Sequence, residues 1–148
     1  MHWILAMISL SWGSKNPFRL EIQSPKLTVG ESNEVKVMVV VPPDHHLYRD
    51  MMWINIISTS GVEVEAPEFP IGTFKADPAN PSELREQYEQ TPIVRMPVVS
   101  HQEGKAEILL EIRYQGCQKT ICYRPVLEEH LVKLSVHNES KKTSSSGK

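Results

Sequence analysis

Between residues 34 and 41 the chain reads EVKVMVVV, which sets Val35, Val37, Val39 and Val41 on one face of an extended strand. A period of two marks a strand with one side buried. The same alternation returns at Ile108, Leu110, Ile112 and Tyr114, inside a strand expected over residues 106–114. Further strands are expected at 47–57, 62–66, 93–99 and 130–136, with an early one within 18–29. Pro42-Pro43-Asp44, residues 58–61, Pro67 with Pro70, and the HQEG step at 101–104 supply turns between them.

One segment breaks the pattern. Residues 72–91, GTFKADPANPSELREQYEQT, are polar, carry two prolines and show little apolar periodicity. A long loop inside a domain of this size is commonly functional or mobile. Its second half, residues 82–89, has the makings of a helical turn with Ser82 as cap. Roughly seven or eight short strands with no strong helix between them predict an all-β fold, an antiparallel β-sandwich. An immunoglobulin-like topology is the first reading and a jelly roll or barrel the second.

Composition adds limits. At 148 residues the chain is long enough for one domain with a real core, and 40% hydrophobic against 23% charged residues is ordinary globular usage. A formal charge of -2 argues against a nucleic-acid partner, which would favour a basic patch. The apolar run at residues 3–12 falls short of the ~20 residues that span a bilayer, and it resembles the core of an export signal. Ser11-Trp12-Gly13 offers small residues for cleavage, although only Met1 and His2 precede the run. The chain therefore divides into a partial signal or apolar segment at 1–17, a domain at 18–137 and a polar linker or tail at 138–148. Export is the expectation. The Asn138-Glu139-Ser140 sequon sits in that tail.

The chemistry concentrates in YQGCQKTICYRP, residues 114–125, which holds both cysteines of the chain, Cys117 and Cys122. Three readings compete. A structural disulfide would close a loop of about six residues and stabilise by only about 2 kcal/mol in the chain-entropy account. A metal site would add His130 and a second histidine to the two thiolates, and His45-His46 with Met51-Met52 would suit copper in an exported protein. A redox pair needs one accessible thiolate to attack a partner's disulfide and a second thiol to resolve the mixed disulfide. Lys119 is the nearest cation that would favour a thiolate, although a loop lysine is more often simply a solvated surface charge. No G-x-S-x-G and no glycine-rich phosphate loop is present.

The flanks of the cysteines resemble one family. YQGC followed by ICYRP is similar to the Y-Q-G-C and C-Y-x-P stretches of the N-terminal periplasmic domain of DsbD, a thiol:disulfide interchange protein. HHLYRD at 45–50 resembles that family's aromatic-L-Y-R strand, PIGTFKADP at 70–78 the start of its cap loop, and EQYEQTPIVRMPVV the strand behind the cap. The likeness runs over residues 18–136.

The resemblance implies an immunoglobulin-like sandwich with a cap loop over a cysteine pair, and no cofactor. It also implies a job: electrons from a membrane reductase reach this domain through a thioredoxin-like domain. They then pass to thioredoxin-fold partners in the periplasm, a disulfide isomerase or the thioredoxin-like protein of cytochrome c maturation. Membrane contact would come only through flanking domains. By motif position Cys122 is the attacking thiol and Cys117 the resolving one. Residues 73–89 would be the cap. The family's capping phenylalanine falls at Pro78-Ala79-Asn80-Pro81, which leaves Phe74 or Tyr88 to serve, with Asp77 beside them. Tyr48 matches an aromatic residue near the pair, His46 stands where another aromatic is common, and Tyr114 or Tyr123 is expected to pack against the disulfide. The alternative is a non-catalytic interaction sandwich with a short structural disulfide.

Overall fold

Residues 16–138 are described in the computed structural model, and in chain order the period-two segments become strands. They are β1 (Arg19–Gln23), β2 (Leu27–Thr28), β3 (Asn33–Val40), β4 (His46–Tyr48), β5 (Trp53–Ser60) and β6 (Glu63–Val64). There follow β7 (Thr73–Asp77), β8 (Asn80–Tyr88), β9 (Ile93–Val99), β10 (Gly104–Tyr114), β11 (Gly116–Gln118), β12 (Ile121–Cys122) and β13 (Val126–His137). The apolar N-terminal segment up to residue 15, and the tail from residue 139 with most of the sequon, lie outside the described residues.

Two four-stranded sheets, ordered β1-β3-β9-β6 and β2-β13-β10-β5, face each other as an immunoglobulin-like sandwich. Their inner faces carry the residues the alternation singled out. Val35, Val37 and Val39 of β3 and Val94 and Met96 of β9 meet Ile108, Leu110 and Ile112 of β10, all 0% exposed. Every pairing is antiparallel except β2 with β13, which run parallel over Leu27↔Val136 and Thr28↔His137. Each fully buried Val, Leu or Ile contributes about 1.5–3 kcal/mol relative to exposure. The sandwich is therefore a stiff base.

A third sheet, ordered β12-β11-β4-β8-β7, stands at one end and carries both cysteines. Two departures from the sequence reading create it. First, residues 47–57 are not one strand. The chain breaks at a short 3-10 turn, Arg49–Met51, so that β4 joins the third sheet while β5 pairs with β10. Met52 is fully buried just past the turn, and the Arg49 guanidinium lies 3.6 Å over the Phe69 ring, which pins the change of direction. Second, residues 82–89 form no helical turn. They are strand β8, folded back on β7 with Phe74↔Glu86 and Lys75↔Arg85 in register. Ser82 caps nothing; its hydroxyl donates to the Asn80 side chain at 2.9 Å. The reason is non-local: β7 and β4 satisfy both edges of β8, and pairing of that kind overrides weak local propensity. The expected cap loop is thus a β-hairpin.

Candidate functional site

The site grows out of the longest ladder in the molecule. β10 and β13 pair without a shift from Gly104↔Val136 to Tyr114↔Val126. Beyond Tyr114 the count changes: Tyr123 N donates to Gly116 O at 2.8 Å, so Gln115 on one arm faces Arg124 and Pro125 on the other. Such a two-against-one bulge re-aims the strands past it. Pro125, without an N–H, suits a place where pairing lapses. The tip hairpin then pairs Cys117↔Cys122 and Gln118↔Ile121 around Lys119-Thr120. Lys119 sits at φ 54, the left-handed conformation a tight hairpin turn requires.

Cys117 and Cys122 are joined as a disulfide with Cα atoms 3.9 Å apart. The two sulfurs belong to very different surroundings. Cys117 is 0% exposed, whereas Cys122 is exposed next to Ile121, itself 73% exposed. One member of the pair is therefore open to a partner and the other is sealed behind it.

A small set of ring and hydrogen-bond contacts holds the tip against the sandwich. Gly116 lies flat on the Phe18 ring, so closely that a Cβ there would run into the ring carbons. Tyr123 stacks on His45 with centroids 5.8 Å apart, and Phe18 meets both rings edge-on. His45 Nδ1 donates to Pro43 O at 2.8 Å, and its Nε2 is hydrogen-bonded to the Tyr123 hydroxyl at 3.0 Å. Gln115 Nε2 also donates to Tyr123 O at 3.0 Å. Phe18 and Gly116 were not singled out by the sequence, and His45 entered only as a copper candidate beside His46. The one signal for them was a glycine directly before the first cysteine.

On the other side β11 pairs with β4, Gly116↔Leu47 and Cys117↔His46. Side chains alternate across a strand, so His46 and Tyr48 share the sheet face of Cys117 while Leu47 points into the core. His46 and Tyr48 touch edge-to-face with centroids 4.9 Å apart. The Arg85 guanidinium covers the Tyr48 ring at 3.5 Å and bonds Asp50 at 3.0 Å. Lys75 bonds Glu89, and Gln87 Nε2 donates to Glu89 at 3.0 Å. The β7–β8 hairpin therefore brings charge and amide groups to the cysteine face.

The same register corrects the capping residues expected from sequence. Phe74 pairs with Glu86, on the face of Leu47 and Tyr88, opposite the face of the sulfurs, and is 56% exposed. Tyr88 is 4% exposed within the core and donates its hydroxyl to Pro70 O at 2.7 Å; burial pushes its pKa up to about 12. Asp77 is at the hairpin turn, accepting from Ala79 N at 2.9 Å. Tyr114 is 2% exposed on the inner face of β10, and burial, then the nearby Glu128 carboxylate, raise its pKa. His130, once considered a zinc ligand, pairs across from Leu110 and bonds Glu128 at 3.2 Å. A hollow of about 750 Å³ at the hairpin's base, lined by Ile71, Gln87 and Pro92, includes neither cysteine.

By sequence, the family described as thiol:disulfide interchange protein DsbD, N-terminal, matches residues 18–134. The chain belongs to the DsbD N-terminal domain family. It is a thiol:disulfide exchange domain. Among solved structures, the complex between the DsbD N-terminal and the PilB N-terminal domains from Neisseria meningitidis is 19% identical. That match covers 77% of this chain and 80% of the other, with a TM-score of 0.55. The reduced DsbD N-terminal domain of the same organism is 21% identical over 68% of this chain and 77% of that one, at a TM-score of 0.49. None of the curated proteins matches the chain. Among the described residues, no helix is long and apolar enough to cross a membrane.

Proposed function

We propose that this DsbD-type domain is a periplasmic protein-disulfide reductase module. It takes two electrons from a thioredoxin-like domain of its own membrane reductase. It hands them to thioredoxin-fold partners, a disulfide isomerase or the thioredoxin-like protein of cytochrome c maturation. The observation that carries the reading is the asymmetry of the pair: Cys117 is 0% exposed and Cys122 is exposed. A relay needs one sulfur that a partner can reach and one that resolves only from within. That a solved relative is a complex with the PilB N-terminal domain supports a protein partner.

The steps balance. A donor thiolate attacks Cys122 Sγ, the Cys117–Cys122 bond breaks, and Cys117 leaves as a thiolate that takes up a proton. The donor's second thiol attacks the donor sulfur of the mixed disulfide, so the donor leaves oxidised and both cysteines of the domain are thiols. In the return half, the Cys122 thiolate attacks the acceptor's disulfide. Cys117 then attacks Cys122 Sγ, and the acceptor leaves as a dithiol. Two electrons and two protons pass each way. No cofactor enters.

In this reading His46, Tyr48, Lys75 and Arg85 wall the buried side of the pair, a polar and aromatic shield in place of a single phenylalanine. The test uses the reduced chain and an oxidised thioredoxin-fold partner. Cys117→Ser should accumulate a mixed disulfide through Cys122, visible without reductant, and Cys122→Ser should form none. Equal reduction of the partner by Cys122→Ser and wild type would end the proposal.

A further inference from the structure

Cys117 must shed and regain a proton in every cycle, yet at 0% exposure it has no direct access to water. The strand register sets a titratable ring directly across from it. His46 is its direct cross-strand partner. Side chains so paired share a sheet face, with Cβ atoms about 4.5–5.5 Å apart. Among the described residues, His46 Nε2 is the one buried side-chain nitrogen or oxygen with no hydrogen-bond partner. A buried polar atom left unpaired costs roughly 1–3 kcal/mol, so its persistence calls for a use.

We propose that His46 is the proton acceptor and donor for Cys117. As Cys117 attacks the mixed disulfide, its S–H proton passes to the free ring nitrogen of His46. The Cys117–Cys122 bond forms, and the acceptor's sulfur departs with the electron pair of the broken bond. In the opposite half the partly exposed ring takes up a proton from solvent, passes it to the departing Cys117 thiolate and is neutral again afterwards. The inference rests on the exchange reading above and adds a residue that the reading does not require.

The surroundings suit the task. A proton acceptor must be neutral at working pH. Groups around His46 are Lys75 of β7, Arg85 of β8, Glu89 just beyond it, His45 next in the chain, and Tyr48 on its own strand. Loss of water on burial outweighs the pull of Glu89, and with Lys75, Arg85 and His45 it holds the His46 pKa below the ordinary 6.5. The ring is therefore neutral near pH 7.

The experiment follows each half of the reaction separately. The reduced full chain is mixed in a stopped flow with dithiobis(nitrobenzoate), whose released thiolate is yellow. The first, concentration-dependent phase reports attack by Cys122; the second, first-order phase reports resolution by Cys117. Both are followed from about pH 5 to about pH 9 in wild type, His46→Phe and His46→Gln. The phenylalanine keeps ring bulk, and the glutamine keeps polarity without titrating. In both variants resolution should slow by at least about tenfold at neutral pH, a threshold set below the ~10²–10⁴-fold contribution of positioned proton transfer. The wild-type inflection below pH 6.5 should vanish, with the first phase held within about twofold. Unchanged resolution with an unchanged pH profile in both variants, or equal slowing of both phases, would overturn the role of His46. Loss of the first phase in wild type would instead overturn the exchange reading itself.

Discussion

The β10–β13 ladder and the β11–β12 tip are two stretches of one hairpin, and they are built to opposite ends. The ladder keeps one register from Gly104↔Val136 to Tyr114↔Val126 and presents Ile108, Leu110 and Ile112 to the core at 0% exposure. The tip begins with a one-residue slip, turns through a left-handed Lys119, and leaves Ile121 and Cys122 in solvent. The ladder is stabilised by burying apolar surface, which closes it to partners. The tip gives up that burial and is fastened by a few contacts: Gly116 on Phe18, and Tyr123 with His45. A thiol pair needs both: a tip alone would wander, and a ladder alone would seal the sulfurs.

Breaking each half separately should produce different phenotypes. Leu110→Ala removes a fully buried side chain and should cost about 2–5 kcal/mol in denaturant unfolding. Below its melting temperature it should leave the exchange rate near that of wild type. Gly116→Ala forces the new methyl against the Phe18 ring and should cost about 1–3 kcal/mol. Here exchange should slow as well, because the displaced segment carries Cys117. In a double-mutant cycle Phe18→Ala should recover part of that loss; strict additivity would show that the ring contact does not position the tip.

Ile121→Glu sharpens the comparison from the solvent side. At 73% exposure it should shift stability by no more than about 0.5 kcal/mol. It should lower the rate with a protein partner while leaving the rate with a small thiol such as dithiothreitol unaltered. Equal effects on both would argue against a docking role for the tip. The smallest effects are set by pH. The depressed pKa of His46 means the unfolded chain binds the extra proton first, so stability should fall as pH drops below 6.5. Tyr88, held up to about 12, should favour the fold until pH rises past 10, and its ultraviolet titration should lag that of an exposed tyrosine. His46→Phe and Tyr88→Phe should each flatten one limb of the stability profile.

Much of this was legible without coordinates. The valines of β3 and the Ile108–Leu110–Ile112–Tyr114 face of β10 were readable because a half-buried strand repeats every two residues, a local property. The cysteine pair left three readings open by its chemistry, and its flanks pointed to exchange through their resemblance to one family, a likeness legible because the motif lies within one short stretch. The β7–β8 hairpin was not legible: its residues read as a long loop with a helical turn at 82–89. Its polar residues face solvent and its neighbours rather than a core, so no period marks them. Phe74 was placed over the sulfurs on sequence proximity to the cap, yet the count of residues from Leu47 through Tyr88 and Glu86 sets it on the other face.

By itself, then, the order of residues determined an all-β sandwich, which side of its main strands turns inward, and the pair of sulfurs that does the chemistry. Those features depend on neighbours within a few positions. Tertiary structure alone decided that Cys117 is sealed while Cys122 is open, that His46 stands beside the first, and that Phe18 clamps Gly116 from the far end of the domain. Each of those depends on which strands pair and in what register, and register is a balance of contacts between segments dozens of residues apart.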